Sequence, residues 1–106
     1  MALTRDFRET IRKRAEHEPA FRQALLQEGL QLINTGDFPT GRAILRKYIN
    51  ATIGFSALAR KTNISSPSLQ RMFGPKGNPS AQNLFGVIAA LQQTEGVSVE
   101  LQMHAS

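Results

Sequence analysis

The 106-residue chain contains no cysteine, which excludes disulfides and thiolate metal sites. Its two histidines, His17 and His104, stand near opposite ends and form no metal-binding motif with their neighbours. No apolar run approaches the length needed to span a bilayer, and the start of the chain lacks the apolar core of a signal peptide. We therefore expect a cytoplasmic protein without a metal or cofactor.

Acidic residues are missing from the whole stretch between Asp37 and Glu95, which holds seven of the thirteen basic residues. The formal net charge of the chain is +5. Basic charge without counter-charge is typical of proteins that bind polyanions such as nucleic acid. The same stretch offers no paired carboxylates for acid–base chemistry and no glycine motif that would cradle a phosphate. We therefore do not expect an enzyme.

Apolar residues recur mostly at helical spacing, which predicts an all-α domain of five to six helices. We place a basic amphipathic helix or arm in residues 1–19, with Thr4 as its N-cap, and the main helical domain in residues 20–94. Gly36 is expected to end the second helix and Asp37 to cap the third. The inward side of that third helix is predicted to consist of Ala43, Ile44, Leu45, Tyr48 and Ile49.

Residues 95–106 form a tail with a different periodicity. Apolar and polar residues alternate from Val97 to Met103, which predicts a short strand. Because a lone strand is not stable, it needs a second copy of itself or the edge strand of a partner. A frayed tail is the alternative.

A helix, a tight turn and a second short helix are predicted within Phe55–Gly74. Asn63 ends the first helix, because asparagine tolerates the left-handed conformation that a tight turn needs. Ile64 fills the corner, and Ser65 caps the second helix. The pattern is typical of a helix-turn-helix. We expect a lambda-repressor-like domain that places its second helix in the major groove of double-stranded DNA.

The outward face of this second helix carries the candidate DNA-binding residues. They are Ser65, Ser66, Pro67, Ser68, Gln70 and Arg71, followed by Lys76 in the next loop. Arg71 is the residue that can make a two-point contact with guanine, and the serines and Gln70 can donate to phosphates or base edges. The free amides that follow Ser65 can receive a phosphate.

Each of these residues also has a simpler interpretation. Arg71 can be a solvated surface arginine, Lys76 a polar loop residue, and the serines helix caps first. On the third helix, Arg42, Arg46 and Lys47 are more typical of a solvated face than of a contact surface.

Residues 54–91 resemble the DNA-binding half of bacterial addiction-module antitoxins. These are helix-turn-helix antidote proteins encoded beside a small ribosome-dependent mRNA-cleaving toxin. The resemblance lies in the GF-x-x-LA run from Gly54, the serine-rich second helix and the PKGNPS loop of Pro75–Ser80. It extends more loosely over residues 20–103, while residues 1–19 are more basic than the family would suggest.

The resemblance implies a homodimer that binds a palindromic operator at its own promoter. It also implies a second surface that captures the toxin and blocks its active site. By position, it assigns to the operator-reading helix Ser65, Ser66, Pro67, Ser68 and Arg71, and to the loop near the phosphates Lys76 and Asn78. Asn63 stands where many helix-turn-helix proteins have glycine, and Pro67 offers the DNA only an apolar contact. Base reading is therefore expected to depend mainly on Arg71.

The sequence is also compatible with two other functions. One is a stand-alone regulator of the phage-repressor type with no toxin partner, and a neighbouring toxin gene would argue against it. The other is a module that uses this fold for protein contacts only, which salt-insensitive or absent DNA binding would support. The basic first helix is a candidate second arm for either toxin or DNA.

Overall fold

Six α-helices account for most of the chain in the computed structural model, which describes residues 5–106. Their bounds are Arg5–His17 (α1), Pro19–Thr35 (α2), Phe38–Ala51 (α3), Phe55–Thr62 (α4), Ser66–Met72 (α5) and Ala81–Glu95 (α6). No strand occurs in this range, so the prediction of an all-α domain with five to six helices is confirmed. None of these six helices has both the length and the apolar character to cross a bilayer. The N-cap predicted at Thr4 lies outside the described residues.

Glycines and short polar side chains end the helices where the sequence predicts. Gly36 follows α2 with a φ of 95°, a conformation that glycine adopts at little cost, and its N–H donates to the Ile33 carbonyl at 3.1 Å. The Asp37 carboxylate then accepts the Thr40 amide at 3.4 Å and caps α3. These local signals define a helical hairpin, and α2 and α3 make the most extensive helix–helix contact in the described chain.

Two glycines allow α2 and α3 to approach closely. A Cβ added at Gly29 would lie 2.7 Å from the Leu45 side chain, and one at Gly41 would lie 2.9 Å from the Ile33 side chain. Gly41 and Leu45 are buried, but Ala43 is exposed, so its predicted inward position was wrong. The reason is geometric: residues two apart on a helix point to nearly opposite sides, so the Gly41–Leu45 stripe turns Ala43 outward.

The basic helix α1 packs against α2 and α3. Ala15 is fully buried in this contact, and the Arg22 guanidinium donates to its carbonyl at 2.7 Å. The guanidinium carbon of Arg14 lies 4.4 Å from the centre of the Phe21 ring, which adds a cation–π contact. The C-terminal half of α1 is therefore fixed on the rest of the chain.

A polar network joins α2, α3 and the end of α6. The Glu95 side chain is only 4% exposed, and its carboxylate pairs with Arg22 at 3.1 Å. It also accepts a hydrogen bond from the Tyr48 hydroxyl at 2.5 Å. Since Arg22 donates to Ala15 as well, the network reaches α1. Each charge of this partly buried network thus has a partner, which is what makes it tolerable beside the core.

Tyr48 should make the protein sensitive to alkaline pH. Burial, followed by the hydrogen bond to Glu95, raises the pKa of the Tyr48 phenol well above its ordinary value near 10. The folded state therefore keeps the proton when the unfolded chain has lost it. The free energy of unfolding should not depend on this group below pH 10. Above that pH it should fall, by up to about 1.4 kcal/mol per pH unit.

Urea unfolding on both sides of this pH measures the effect, and the Tyr48→Phe variant is the control because it lacks the titrating group. Tyr48 is the single tyrosine of the chain, so tyrosinate absorbance reports its ionisation directly. If tyrosinate absorbance of the folded protein rises with a midpoint near pH 10, the ordinary value for tyrosine, the prediction is wrong.

Residues 97–106 follow α6 without regular secondary structure. The Val99 amide donates to the Gln92 side chain at 2.8 Å, and Val97 and Val99 pack partly on the core. Leu101 and Met103 are 77% and 98% exposed. The predicted strand is not formed in the single chain, because no other described segment is extended and able to pair with it. Pairing with a second copy or with a partner stays a prediction.

Candidate nucleic-acid interface

Three residues connect α4 to α5 in a tight turn. Asn63 has a φ of 58°, and it is the only non-glycine residue with a positive φ between residues 5 and 106. Its N–H donates to the Ala59 carbonyl at 2.9 Å and so ends α4. Ser65 accepts the Ser68 amide at 3.3 Å and begins α5. The turn residues predicted from the sequence therefore have the predicted conformations.

The inner faces of α4 and α5 are anchored in the core. Phe55, Leu58 and Leu69 are buried, the last two completely. The rings of Phe55 and Phe73 lie 6.5 Å apart and are tilted by 50°, which joins the start of α4 to the end of α5. Ile64, in the turn, packs against the same cluster. With one face held in this way, the opposite face of α5 is fixed in orientation.

The opposite face of α5 carries a chain of side-chain hydrogen bonds. The Ser65 hydroxyl donates to the Ser68 hydroxyl at 2.8 Å, and the Arg71 guanidinium donates to the same oxygen at 3.1 Å. The Gln70 amide donates to the Ser66 hydroxyl at 3.3 Å. The structure thus brings together five of the predicted site residues. They are held in place while Arg71 keeps donors free for a ligand.

Pro67 occupies the first turn of α5, where its missing N–H costs no helical hydrogen bond. Its side chain is exposed beside the hydrogen-bonded residues. The expectation that Pro67 offers only an apolar contact agrees with this position, and Arg71 is the only charged side chain of α5.

The loop after α5 folds back against the end of that helix. The Gly77 amide donates to the Gly74 carbonyl at 3.0 Å. A Cβ added at Gly77 would overlap the backbone carbonyls of Met72 and Arg71, the second at 2.5 Å. Lys76 and Asn78, on either side of Gly77, are both exposed. The absence of a side chain at Gly77 therefore keeps these two predicted residues next to the end of α5.

The positive charge around this surface is uncompensated. The ion pairs among residues 5–106 are Arg5–Glu9, Arg12–Glu16, Arg14–Glu18 and Arg22–Glu95. None involves a basic residue of the acid-free stretch between Asp37 and Glu95. The seven basic side chains of that stretch therefore carry positive charge that no carboxylate of residues 5–106 neutralises by an ion pair.

A cleft of about 960 Å³ lies between α1 and α3, and we call it the basic cleft. Its basic lining residues are Arg5, Arg8, Arg12, Arg42, Arg46 and Lys47. From the sequence alone, the basic residues of α3 are expected to form a solvated face and those of α1 a separate arm. The i, i+4 spacing of Arg8 with Arg12 and of Arg42 with Arg46 indicates one basic side on each helix. What the sequence did not show is that these two sides face each other.

An apolar groove of about 560 Å³ lies between α2, α3 and α6, and Arg42 lines both this groove and the basic cleft. Phe38 and Phe85 line it while remaining 47% and 61% exposed, and Leu101 of the tail lies at the same groove. The signal in the sequence is the position of Phe85, which falls beside the core stripe of α6 and not within it. Exposed aromatic residues around a groove are typical of contact surfaces.

Comparison of the chain with protein-family models, with curated proteins and with solved structures gives no match. A function must therefore be inferred from the geometry and charge of these surfaces.

Proposed function

We propose that the protein binds double-stranded DNA and that α4 and α5 act as a helix-turn-helix. In this arrangement α4 braces against the DNA backbone and α5 lies in the major groove. The observation that carries the proposal is the Ser65–Ser68–Arg71 hydrogen-bond chain. It lies on the exposed side of a helix whose other side is anchored in the core, within a segment that has no acidic residue.

The proposed contacts divide into two kinds. Arg71 makes the base-specific contact, since a guanidinium matches the two acceptors of guanine in the major groove. Lys76 and Asn78 follow α5 in the next loop and contact phosphates. The Ser68 amide is already bonded to Ser65 and Pro67 has no N–H, so the start of α5 is not assigned a phosphate. Phosphate contacts fix the position of the protein on the duplex but carry no sequence information.

We further propose that the active species is a homodimer. Two copies of α5 would then enter successive major grooves, with half-sites about 34 Å apart. The exposed apolar groove between α2, α3 and α6 and the unpaired Val97–Met103 segment are the surfaces that such a dimer would cover.

The proposed biological role is that of an antitoxin, which represses its own promoter and neutralises a cognate mRNA-cleaving toxin. This role derives from the resemblance of residues 54–91 to helix-turn-helix antidote proteins. A stand-alone regulator with the same DNA-binding surface is the alternative. A toxin gene beside this one, whose product is inhibited by the purified chain in a translation assay, supports the antitoxin. A duplex-binding protein with no such neighbour supports the regulator.

Arg71→Ala tests the DNA-binding surface. We expect this variant to lose about 1–3 kcal/mol of binding free energy on the DNA upstream of its own gene, with relaxed selectivity at one base pair per half-site. Affinity is measured as a function of salt on that DNA and on an unrelated duplex. Lys76→Ala is the comparison, since loss of a phosphate contact should weaken binding to both duplexes alike and lower the salt dependence. Unchanged affinity and selectivity in Arg71→Ala would show that α5 is not the reading helix.

A further inference from the structure

The basic cleft between α1 and α3 carries far more positive than negative charge. Glu9 is the single carboxylate among its lining residues, and it lies 3.8 Å from Arg5. Arg12 is 3.8 Å from Glu16. Both are exposed i, i+4 pairs, which hold their partners only weakly. Among the basic lining residues, those without an ion pair in the described part of the chain are Arg8, Arg42, Arg46 and Lys47.

Arg42 is the most unusual of these cations. It is half-buried, and its Nε is buried without a hydrogen-bond acceptor among residues 5–106. A guanidinium in this position has lost part of its hydration, and no carboxylate of the described chain takes the place of the lost water. The wall of the cleft therefore contains a cation whose electrostatic partner is missing from the fold itself.

Part of the cleft wall is formed by the segment that leaves α5. Phe73, Gly74 and Pro75 line it, and Lys76 follows directly in the chain. The basic cleft thus adjoins the segment that follows α5.

We propose that the basic cleft binds the sugar–phosphate backbone of the duplex beside the groove that α5 enters. The inference rests on the proposed DNA-binding function and adds α1 and α3 to the binding surface. Arg46 and Lys47, which are exposed on α3, contact phosphates, and the arginines of α1 form the opposite wall. An acidic polypeptide would match the charge equally well. The cleft, however, adjoins the segment that follows α5, the helix proposed to enter the major groove. For this reason the phosphate backbone is the ligand that the structure favours.

The test measures the salt dependence of binding to a duplex that covers two half-sites and both flanks. The variants are Lys47→Gln and the double change Arg46→Gln with Lys47→Gln. Lys13→Gln is the matched control, because Lys13 is also an exposed helical lysine but does not line the cleft. Each lost phosphate contact should lower the slope of log affinity against log salt by about 0.9. The double variant of a homodimer lacks two contacts in each protomer, so over a fourfold rise in salt its affinity should fall by a factor roughly a hundredfold smaller than that of the wild type.

A reduced slope in the cleft variants, with the Lys13→Gln slope equal to wild type, supports the proposal. Equal slopes in all variants, while Arg71→Ala still changes selectivity, overturn the cleft contact and leave the α5 surface in place. No duplex binding by the wild type at low salt overturns both. If the double variant keeps the wild-type slope but loses binding to poly-glutamate, the cleft takes acidic polypeptide and the phosphate proposal is wrong.

Discussion

Replacing Glu95 by alanine should destabilise the protein by about 2–3 kcal/mol. The change leaves the Arg22 guanidinium without its carboxylate at 3.1 Å and the Tyr48 hydroxyl without its acceptor at 2.5 Å. Both groups then keep much of their cost of desolvation without the compensating attraction, although water reaches Arg22, whose side chain is 25% exposed. The total stability of a small domain is about 5–15 kcal/mol, so this loss is a large fraction of it.

Urea unfolding followed by circular dichroism measures the effect. Glu100→Ala is the matched control, since Glu100 is exposed in the tail and its replacement should change stability by less than about 0.5 kcal/mol. Glu95→Gln keeps an acceptor for Tyr48 while removing the charge, so its loss should be smaller than that of the alanine variant. Equal stability of Glu95→Ala and Glu100→Ala would show that the network contributes nothing net.

The parts of the fold that the sequence predicts are those set by neighbouring residues. Gly36 and Asp37 mark a helix boundary because a left-handed glycine and a short acceptor act within one turn. Asn63 and Ser65 define the turn between α4 and α5 for the same reason. The position of Arg71 on the exposed side of α5 then follows from helical periodicity once Leu69 is assigned to the core.

The parts that the sequence does not predict depend on residues far apart in the chain. Arg22 and Glu95 are separated by 73 positions, and Glu95 by itself marks only the end of a helix. The basic cleft requires α1 to pack on α3, and a thin apolar stripe such as that of α1 does not specify which helix it contacts. Ala43 was assigned inward because it is apolar, although the contact with α2 is made through Gly41 and Leu45.

Gly77→Ala should cost about 3 kcal/mol of stability or displace the loop, because the new methyl group would overlap backbone and not a flexible side chain. The carbonyl oxygens of Met72 and Arg71 are backbone atoms at the end of α5, and that of Arg71 also accepts the Gly74 amide at 3.1 Å. The loop would then move outward and carry Lys76 and Asn78 with it. The added methyl group is therefore expected both to lower stability and to weaken the proposed phosphate contact of the loop.

Gly86→Ala is the control that isolates the contact from the general effect of replacing glycine. Gly86 lies exposed in α6 with nothing within 4 Å of an added Cβ, so its replacement should stabilise the helix by about 0.5–1 kcal/mol. Thermal unfolding should thus shift in opposite directions for the two variants. At a temperature where Gly77→Ala is still folded, its duplex binding should have the lowered salt dependence of Lys76→Ala, because both changes remove the same phosphate contact. A folded Gly77→Ala with the wild-type salt slope would show that the loop contacts no phosphate.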